Sequence, residues 1–408
     1  MTSKNNIPKG YKDSAVGVIP QEWEVKRLGS IAKCFSGGTP KSESEEMYGG
    51  TIPFIRSGEI HGDETALYLT DDGLRKSSAK MVNVGDLIFA LYGANSGDCA
   101  ISQINGAINQ AILCIRSLSV INPFLQPYLE LQKDRFIAKY LQGGQGNLSG
   151  EIVSSYTIPV PPLAEQRKIA EILGVWDEAI EKQSRLIGKL ELRKRALMQH
   201  LLTGRTRLPG FTTLWQKRRM KDCFEHITDT SNGCEYLPMT ISARLGLISQ
   251  KDKFDRVIAG DSLKKYTHIQ KGDFAYNKGN SNLYEMGCIY RLKEQDAVVP
   301  FVYLCFRPKQ NVIGEFYQHF FINHGLDRQL KRIITSGARG DGLLNVDKTD
   351  FFELEIVYPP IAEQKAIAEV LTAADNEIAT HRKRLEALRL QKRGLMQQLL
   401  TGKTRVKI

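Results

Sequence analysis

The sequence lacks most of the signatures that mark catalytic and membrane-embedded chains. No apolar run approaches the roughly 18 residues that cross a bilayer, and the opening MTSKNNIPKG has no apolar core of a secretion signal. A cytoplasmic location with no membrane partner is therefore expected. Seven cysteines, Cys34, Cys99, Cys114, Cys223, Cys234, Cys288 and Cys305, are scattered without a CxxC pair. That leaves zinc-ribbon spacing absent and a disulfide framework little supported, so they read as core thiols. GxxxxGK[ST] is missing, and no GxGxxG follows a strand to open a helix, so neither ATP nor a dinucleotide has a cradle. The histidines form no HExxH.

Two weaker patterns also fail. The Asn/Asp-Pro-Pro-aromatic box of adenine methyltransferases is approached only by Val160-Pro161-Pro162-Leu163 and Tyr358-Pro359-Pro360-Ile361, which lack both the polar and the aromatic residue. A metal-nuclease D…ExK pattern needs Asp350 with Glu363 and Lys365, but the matching place in the first half reads Glu165-Gln166-Arg167 at a helix start. An acid there complements the helix dipole. These absences point to a binder with no catalytic residues, cofactor or metal of its own.

What is present is length, charge and a repeat. At 408 residues the chain exceeds the roughly 250–300 at which single cores split, so two or three domains are expected. Its 42% hydrophobic and 25% charged residues suit a folded globular protein. The net charge of +11 favours a polyanionic partner. Residues 161–207 hold 10 basic against 6 acidic side chains and residues 359–408 hold 10 against 5, so these two segments carry +9 of the +11.

The same two segments are copies. PPLAEQRKIAEIL from Pro161 returns as PPIAEQKAIAEVL from Pro359, and 24 of 47 positions are identical without a gap at an offset of 198. Each copy reads as one helix, opened by the Pro pair and stopped at Gly204 or Gly402. Ile169, Leu173, Trp176, Ile180, Gln183, Ile187, Leu190, Lys194, Leu197 and Leu201 keep strict 4,3 spacing. The second copy places Ile367, Leu371, Ala374, Ile378, His381, Leu385, Leu388, Lys392, Leu395 and Leu399 alike. Such a seam must be buried, and the nearest partner is the other copy. Because domain termini lie close together, the second helix is expected to fold back along the first, as an antiparallel rod of roughly 60 Å. Gln183 and His381 in the seam either set register or are slips at its surface.

The segments between the copies echo each other more faintly. IPQEWEVKRLGSI (19–31) and LPGFTTLWQKRRMKDCF (208–224) each place Trp after Pro, and VGDLIFALYG (84–93) matches KGDFAYNKGN (271–280) as a Gly-Asp turn leading into a strand. Each segment then predicts a helix, over 123–141 and 314–334, before a Gly-rich loop, GGQGNLSG or SGARGDGLLN. The fold class expected is mixed α/β. Two globular α/β domains, 1–160 and 208–358, are separated by two long helical segments, 161–207 and 359–408, in a pseudo-twofold circular arrangement.

That order of parts, with both helices ending LLTG[RK]TR, resembles the specificity (S) subunit of type I restriction-modification systems over essentially the whole chain. SGGTPKS (36–42), IPFIRSGEI (52–60), GANSGDCAI (93–101) and INQAILCIR (108–116) are similar to segments of that family's recognition domains. In the second domain KGDFAYNKGNSNLYEMG replaces the GxxxG-type loop. The resemblance implies two target recognition domains, each reading one half of a bipartite site on double-stranded DNA. It implies helices that space the domains and dock modification (M) subunits, two in number, and through the complex restriction (R) subunits. S-adenosylmethionine would then belong to the M subunits, ATP and Mg to the R subunits, and no cofactor to this chain.

Base reading in the major groove needs bidentate donors and acceptors. In the first domain the candidates are Lys41, Arg56, Ser57, Tyr92, Asn95, Ser96, Gln110, Gln145 and Asn147. In the second they are Arg244, Tyr276, Asn277, Lys278, Asn280, Asn282, Arg339, Asn345 and Lys348. The helix-end clusters Arg193-Lys194-Arg195 and Lys392-Arg393 read as solvated faces. The alternative reading is a non-catalytic coiled-coil adaptor joining two protein-binding modules, and a concealed catalytic subunit is weaker still. If the helices act as a ruler, inserting four residues near Gln183 changes the length of the recognised spacer and leaves both half-sites unchanged, as methylation mapping would show; a changed half-site means that the helices are misassigned.

Overall fold

The protein, seen here as a computed structural model, is described over residues 7–41, 43–140, 147–230, 236–254, 260–279, 283–334 and 344–408. It forms two compact units, Met1–Ser184 with Lys383–Ile408, and Arg185–Arg382. The repeated segments are single helices of 39 residues, Leu163–Leu201 and Ile361–Leu399. Each contributes its first half to one unit and its second half to the other. Within the first unit, Ile169 and Leu173 share a core with Met396 and Leu399. Within the second, Ile367 and Leu371 share one with Met198 and Leu201. The start of one helix meets the end of the other in both units, which is the antiparallel seam expected from the 4,3 spacing. The polar seam positions Lys392 and Lys194 are neutralised by Asp177 at 2.5 Å and Asp375 at 2.6 Å, themselves equivalent residues of the two copies.

In the first unit, β1 (Glu24–Arg27), β2 (Ala32–Ser36), β3 (Tyr48–Ile55), β4 (Tyr68–Leu69), β5 (Lys80–Val82), β6 (Leu87–Ala90), β7 (Cys99–Ile101), β8 (Gly106–Ile108) and β9 (Ile112–Ser117) precede helix α1 (Asn122–Tyr140), β10 (Thr157–Val160) and the long helix α2 (Leu163–Leu201). The strands make a β4-β3-β8-β5 sheet, a β2-β9-β6-β7 sheet and a β1-β10 pair. Strands β3 and β8 run parallel, with Phe54 opposite Ala107. The apolar run of β6 is buried on both faces, Leu87 and Phe89 in one core and Ile88 and Ala90 in another, as a strand between two layers must be.

The second unit repeats these three sheets strand for strand, while the first carries in addition a short antiparallel pair, Tyr11–Lys12 with Ile19–Pro20. Its elements are β11 (Gln216–Arg219), β12 (Phe224–Ile227), β13 (Leu237–Ser242), β14 (Gly246–Ser249), β15 (Thr267–Ile269), β16 (Phe274–Asn277), β17 (Cys288–Arg291), β18 (Ala297–Val299) and β19 (Leu304–Pro308), then helices α3 (Gly314–Ile322) and α4 (Asp327–Ile333), β20 (Glu355–Tyr358) and the long helix α5 (Ile361–Leu399). Its sheets are β14-β13-β18-β15 and β12-β19-β16-β17, with a β11-β20 pair. The echoed Gly-Asp turns are equivalent. Gly85 and Gly272 sit at φ +92° and +103°, the left-handed region glycine tolerates. Asp86 and Asp273 each accept a backbone N–H of their own turn and the guanidinium of Arg116 or Arg307 on the neighbouring strand. One expectation fails here: the single helix over 314–334 is two helices, α3 and α4. His324 takes φ +60° between them, and a Cβ on Gly325 would lie 2.5 Å from the Phe320 ring, so the Asn323-His324-Gly325 turn is what ends α3.

Both long helices are tied down by the same device. Glu165 and Glu363, 1% and 0% exposed, lie in the first turns of α2 and α5. Glu363 accepts from Trp215 Nε1 at 2.8 Å and from Arg207 Nε and Nη2 at 2.6 Å each. Glu165 accepts from Trp23 Nε1 and Arg405 Nε, each at 3.0 Å, with Arg405 Nη2 on its other oxygen. The next residue anchors the domain: Gln166 Oε1 accepts the N–H of Ile121 and Gln364 Oε1 that of Ile313, each at 3.0 Å. The acid and glutamine of the AEQ motif are therefore structural, and Glu363 is not available as a nuclease ligand. Glu363→Ala strands a guanidinium and an indole N–H at the base of the second unit and is expected to cost about 3 kcal/mol, read as a lower urea midpoint. Ala at the exposed Glu369 of the same helix should change stability by less than about 0.5 kcal/mol.

Candidate nucleic-acid interface

In the first unit the candidates converge where the parallel strands β3 and β8 end. Arg56 and Ser57 follow β3, Asn109 and Gln110 follow β8, and the turn after β6 supplies Tyr92 and Asn95. Asn95 Nδ2 donates to Ser57 O at 3.2 Å. Gln110 takes a close hydrogen bond from the Thr39 hydroxyl and is paired with Tyr92, whose phenol is pushed above its ordinary value by burial. Asn147 is exposed beside Leu148, whose N–H returns to Leu91 O at 3.1 Å. Lys41 is exposed two residues beyond Thr39. Ser96 is present but turned inward, donating to Leu91 O at 3.1 Å and 9% exposed. Gln145 lies outside the described residues.

Arg56 is held in a specific pose. Its Nε and Nη2 donate to the two oxygens of Glu59 at 3.1 and 2.9 Å, and its own backbone N–H donates to the same carboxylate at 3.1 Å. Glu59 is fixed further by the N–H of Ala66 at 3.1 Å. The Arg56 hydrogen bond, helped by these backbone donors and opposed by burial, holds the Glu59 carboxyl down at about 2. Glu59 went unnoticed in the sequence, although Arg followed by Glu three residues later at a strand end is a readable sign of such a pair.

The second unit divides its candidates. Lys278, Asn345 and Lys348 line one cleft of about 680 Å³ with His226 and Phe301, the latter 60% exposed. The cleft closes where Leu344 N–H reaches Lys278 O at 2.9 Å. Burial and the Lys348 charge hold the His226 imidazole below its ordinary value. Asn277 turns its Oδ1 back to the N–H of Gly279 at 3.0 Å. Arg244 is exposed in the turn between β13 and β14 and belongs to a different cleft of about 900 Å³, shared with Arg195 and Lys293. Tyr276 is corrected: it is 0% exposed, donates its hydroxyl to Met286 O at 2.7 Å and stacks on Phe351 at 5.3 Å. As the inward residue of a strand buried on both faces, it belongs to the core and not to a reading surface. Asn280, Asn282 and Arg339 lie outside the described residues. Phe301, in the apolar run VVPFVY, had the pattern of a core strand, and only the fold exposes it.

Among the described residues no group of three or more His, Cys, Asp or Glu could hold a metal ion, and no helix is long and apolar enough to cross a membrane. Comparison with known proteins gives a consistent result. The family model for the type I restriction modification DNA specificity domain matches residues 20–191 and 258–390. The type I restriction enzyme MjaVIII specificity subunit of Methanocaldococcus jannaschii is 23% identical over 95% of this chain and 94% of its own length. The EcoKI specificity subunit of Escherichia coli K12 is 21% identical over 86% and 82%. Among solved structures, the S subunit of the type I restriction-modification system from M. genitalium aligns with TM-score 0.55 at 14% identity over 98% of both chains. A chain from a structure describing complex assembly and conformational transition of a type I R-M system aligns with TM-score 0.60 at 16% identity, over 95% of this chain and 99% of its own.

The depressed Glu59 carboxyl makes a pH prediction. A carboxyl held at about 2 in the folded chain, against 4.5 ordinarily, stabilises the fold fully above pH 4.5, and that stabilisation is lost as pH falls from 4.5 towards 2. The stability difference between the wild type and Glu59→Gln should be constant near neutrality and shrink through this window. A difference that held steady down to pH 2 would refute the assignment.

Proposed function

The chain belongs to the type I restriction-modification DNA specificity family, and from that membership we propose that it reads a bipartite sequence on double-stranded DNA, one half-site per unit. As a specificity subunit it is a recognition component and not a catalyst. One observation carries the reading: two units whose four-stranded sheets share one strand order display different side chains where their strands end. Repetition of the scaffold suits two sites on one kind of ligand, and divergence of the displayed residues suits two different sequences. Residues 1–160 and 208–358 act as the target recognition domains, and 161–207 and 359–408 as the helical spacer and the docking surface for two modification subunits. Those subunits bring S-adenosylmethionine, the restriction subunits bring ATP and Mg, and the complex works in the cytoplasm.

We assign base contacts to Arg56, Ser57, Tyr92, Asn95, Gln110 and Asn147 in the first unit and to Lys278, Asn345 and Lys348 in the second, and phosphate contacts to Lys41 and Arg244. The hydrogen-bonding capacity of these side chains and their full or partial exposure support the assignment. Methylome sequencing of the source cell with and without the gene tests it, with loss of methylation at one bipartite motif as the expected outcome. The purified chain alone should neither methylate nor cut DNA. Bound with its modification subunits, it should lose DNA affinity steeply with salt, by a log–log slope of about −0.9 per phosphate contact. An assembled complex without measurable DNA binding would instead support the protein-adaptor reading.

A further inference from the structure

The side-on pairing of Arg56 with Glu59 uses Nε and one N–H of Nη2. The opposite edge of the guanidinium, formed by Nη1 and the outward N–H of Nη2, has no protein acceptor among the described residues. Arg56 is 45% exposed at its side chain and adjoins Ser57, whose carbonyl is held by Asn95. We propose that Arg56 reads a guanine in the half-site bound by the first unit, through the end-on guanidinium edge that Glu59 leaves free, with Glu59 as its positioning residue. The inference rests on the DNA-reading function proposed above.

Three physical arguments favour guanine as the ligand, the second of them against a phosphate. The two parallel N–H donors of that free edge match the O6 and N7 acceptors of guanine in the major groove, whereas adenine offers an amino donor in place of O6. Glu59 also cancels the charge of Arg56 at 2.9 Å, so the pair adds little to sequence-independent phosphate attraction, which depends on net positive charge. The pose is fixed before DNA arrives, because Glu59 is itself anchored by the N–H groups of Arg56 and Ala66. Ordering a long side chain on binding is therefore avoided.

At the equivalent strand position the second unit has no such pair. Ala107 and Val298 are the central residues of equivalent strands, opposite Phe54 and Pro238. By that register Arg56 corresponds to Thr240, which is 5% exposed and lies 3.1 Å from the Tyr303 hydroxyl. A guanine read from this strand end is accordingly a feature of the half-site bound by the first unit.

The test uses the chain assembled with its modification subunits, carrying Arg56→Lys, Arg56→Ala or Glu59→Gln. Binding is measured to duplexes of the methylated target with each base pair changed in turn, at two salt concentrations. The expected result is that the wild type discriminates for one G·C pair by about 5- to 150-fold. Both Arg56 variants abolish that preference at that pair alone, and Glu59→Gln weakens it at the same pair. Arg56→Lys retains a cation beside Glu59 and serves as the folding control, since a lysine cannot make the bidentate contact. If Arg56→Ala weakens all sequences alike and lowers the salt slope by about 1, and Arg56→Lys restores both, Arg56 is a phosphate contact and the proposal is overturned. It is overturned equally if no variant changes any position. A wild-type complex with no sequence preference at all would instead sink the DNA-reading function and this inference with it.

Discussion

The buried glutamate at the start of each long helix is the contact on which the two-unit organisation depends. A carboxylate removed from water is tolerated only when donors replace its hydration, and here those donors come from distant parts of the chain. Glu165 is served by Trp23 and by Arg405, beyond the end of the other helix; Glu363 is served by Trp215 and Arg207 in the same way. Each unit is therefore complete only when the start of one helix and the end of the other are both present. The neighbouring Gln166 and Gln364 extend this anchor into the globular part by holding the backbone just ahead of, or at the start of, its helical layer. Gly204 and Gly402, at φ +69° and +73°, turn the chain so that the terminal arginine can reach back.

On that base, each unit sets a two-sheet scaffold whose loops differ between the units, the arrangement in which recognition residues are generally found. The scaffold is conservative between the halves: the same strand order, the same parallel pair and the same Asp–Arg brace behind the Gly-Asp turn. The displayed residues are not. Where the first unit holds an arginine on a glutamate at the end of β3, the second continues its strand and buries a threonine. A common frame with unlike loops is what the proposed reading of two different half-sites requires.

The helical half of the fold was legible because its signal is periodic and repeated. Ile169 to Leu201 and Ile367 to Leu399 announce a seam by spacing alone, and an offset of 198 without a gap makes the copies unmistakable. The division of α3 from α4 was readable in principle from Asn323-His324-Gly325, yet the apolar residues on both sides fit one helix. Strand ends are harder, because a short apolar run does not say which residue faces which layer. Tyr276 looks like a loop-edge aromatic in KGDFAYNKGN, and Phe301 like a core residue in VVPFVY; the structure exchanges their places.

From the sequence by itself came the doubled helix, the absence of catalytic and metal-binding patterns, and the polyanion-binding bias of the charge, all properties carried by local pattern and composition. The tertiary structure alone decided that Glu165 and Glu363 are hubs and not caps. It also decided that Arg56, Ser57, Tyr92, Asn95 and Gln110 meet at one edge while Arg244 stands apart from Lys278, and that Glu59 directs its arginine outward. Those facts depend on contacts between residues far apart in the chain, and no local spacing encodes which distant donor will satisfy a buried acid.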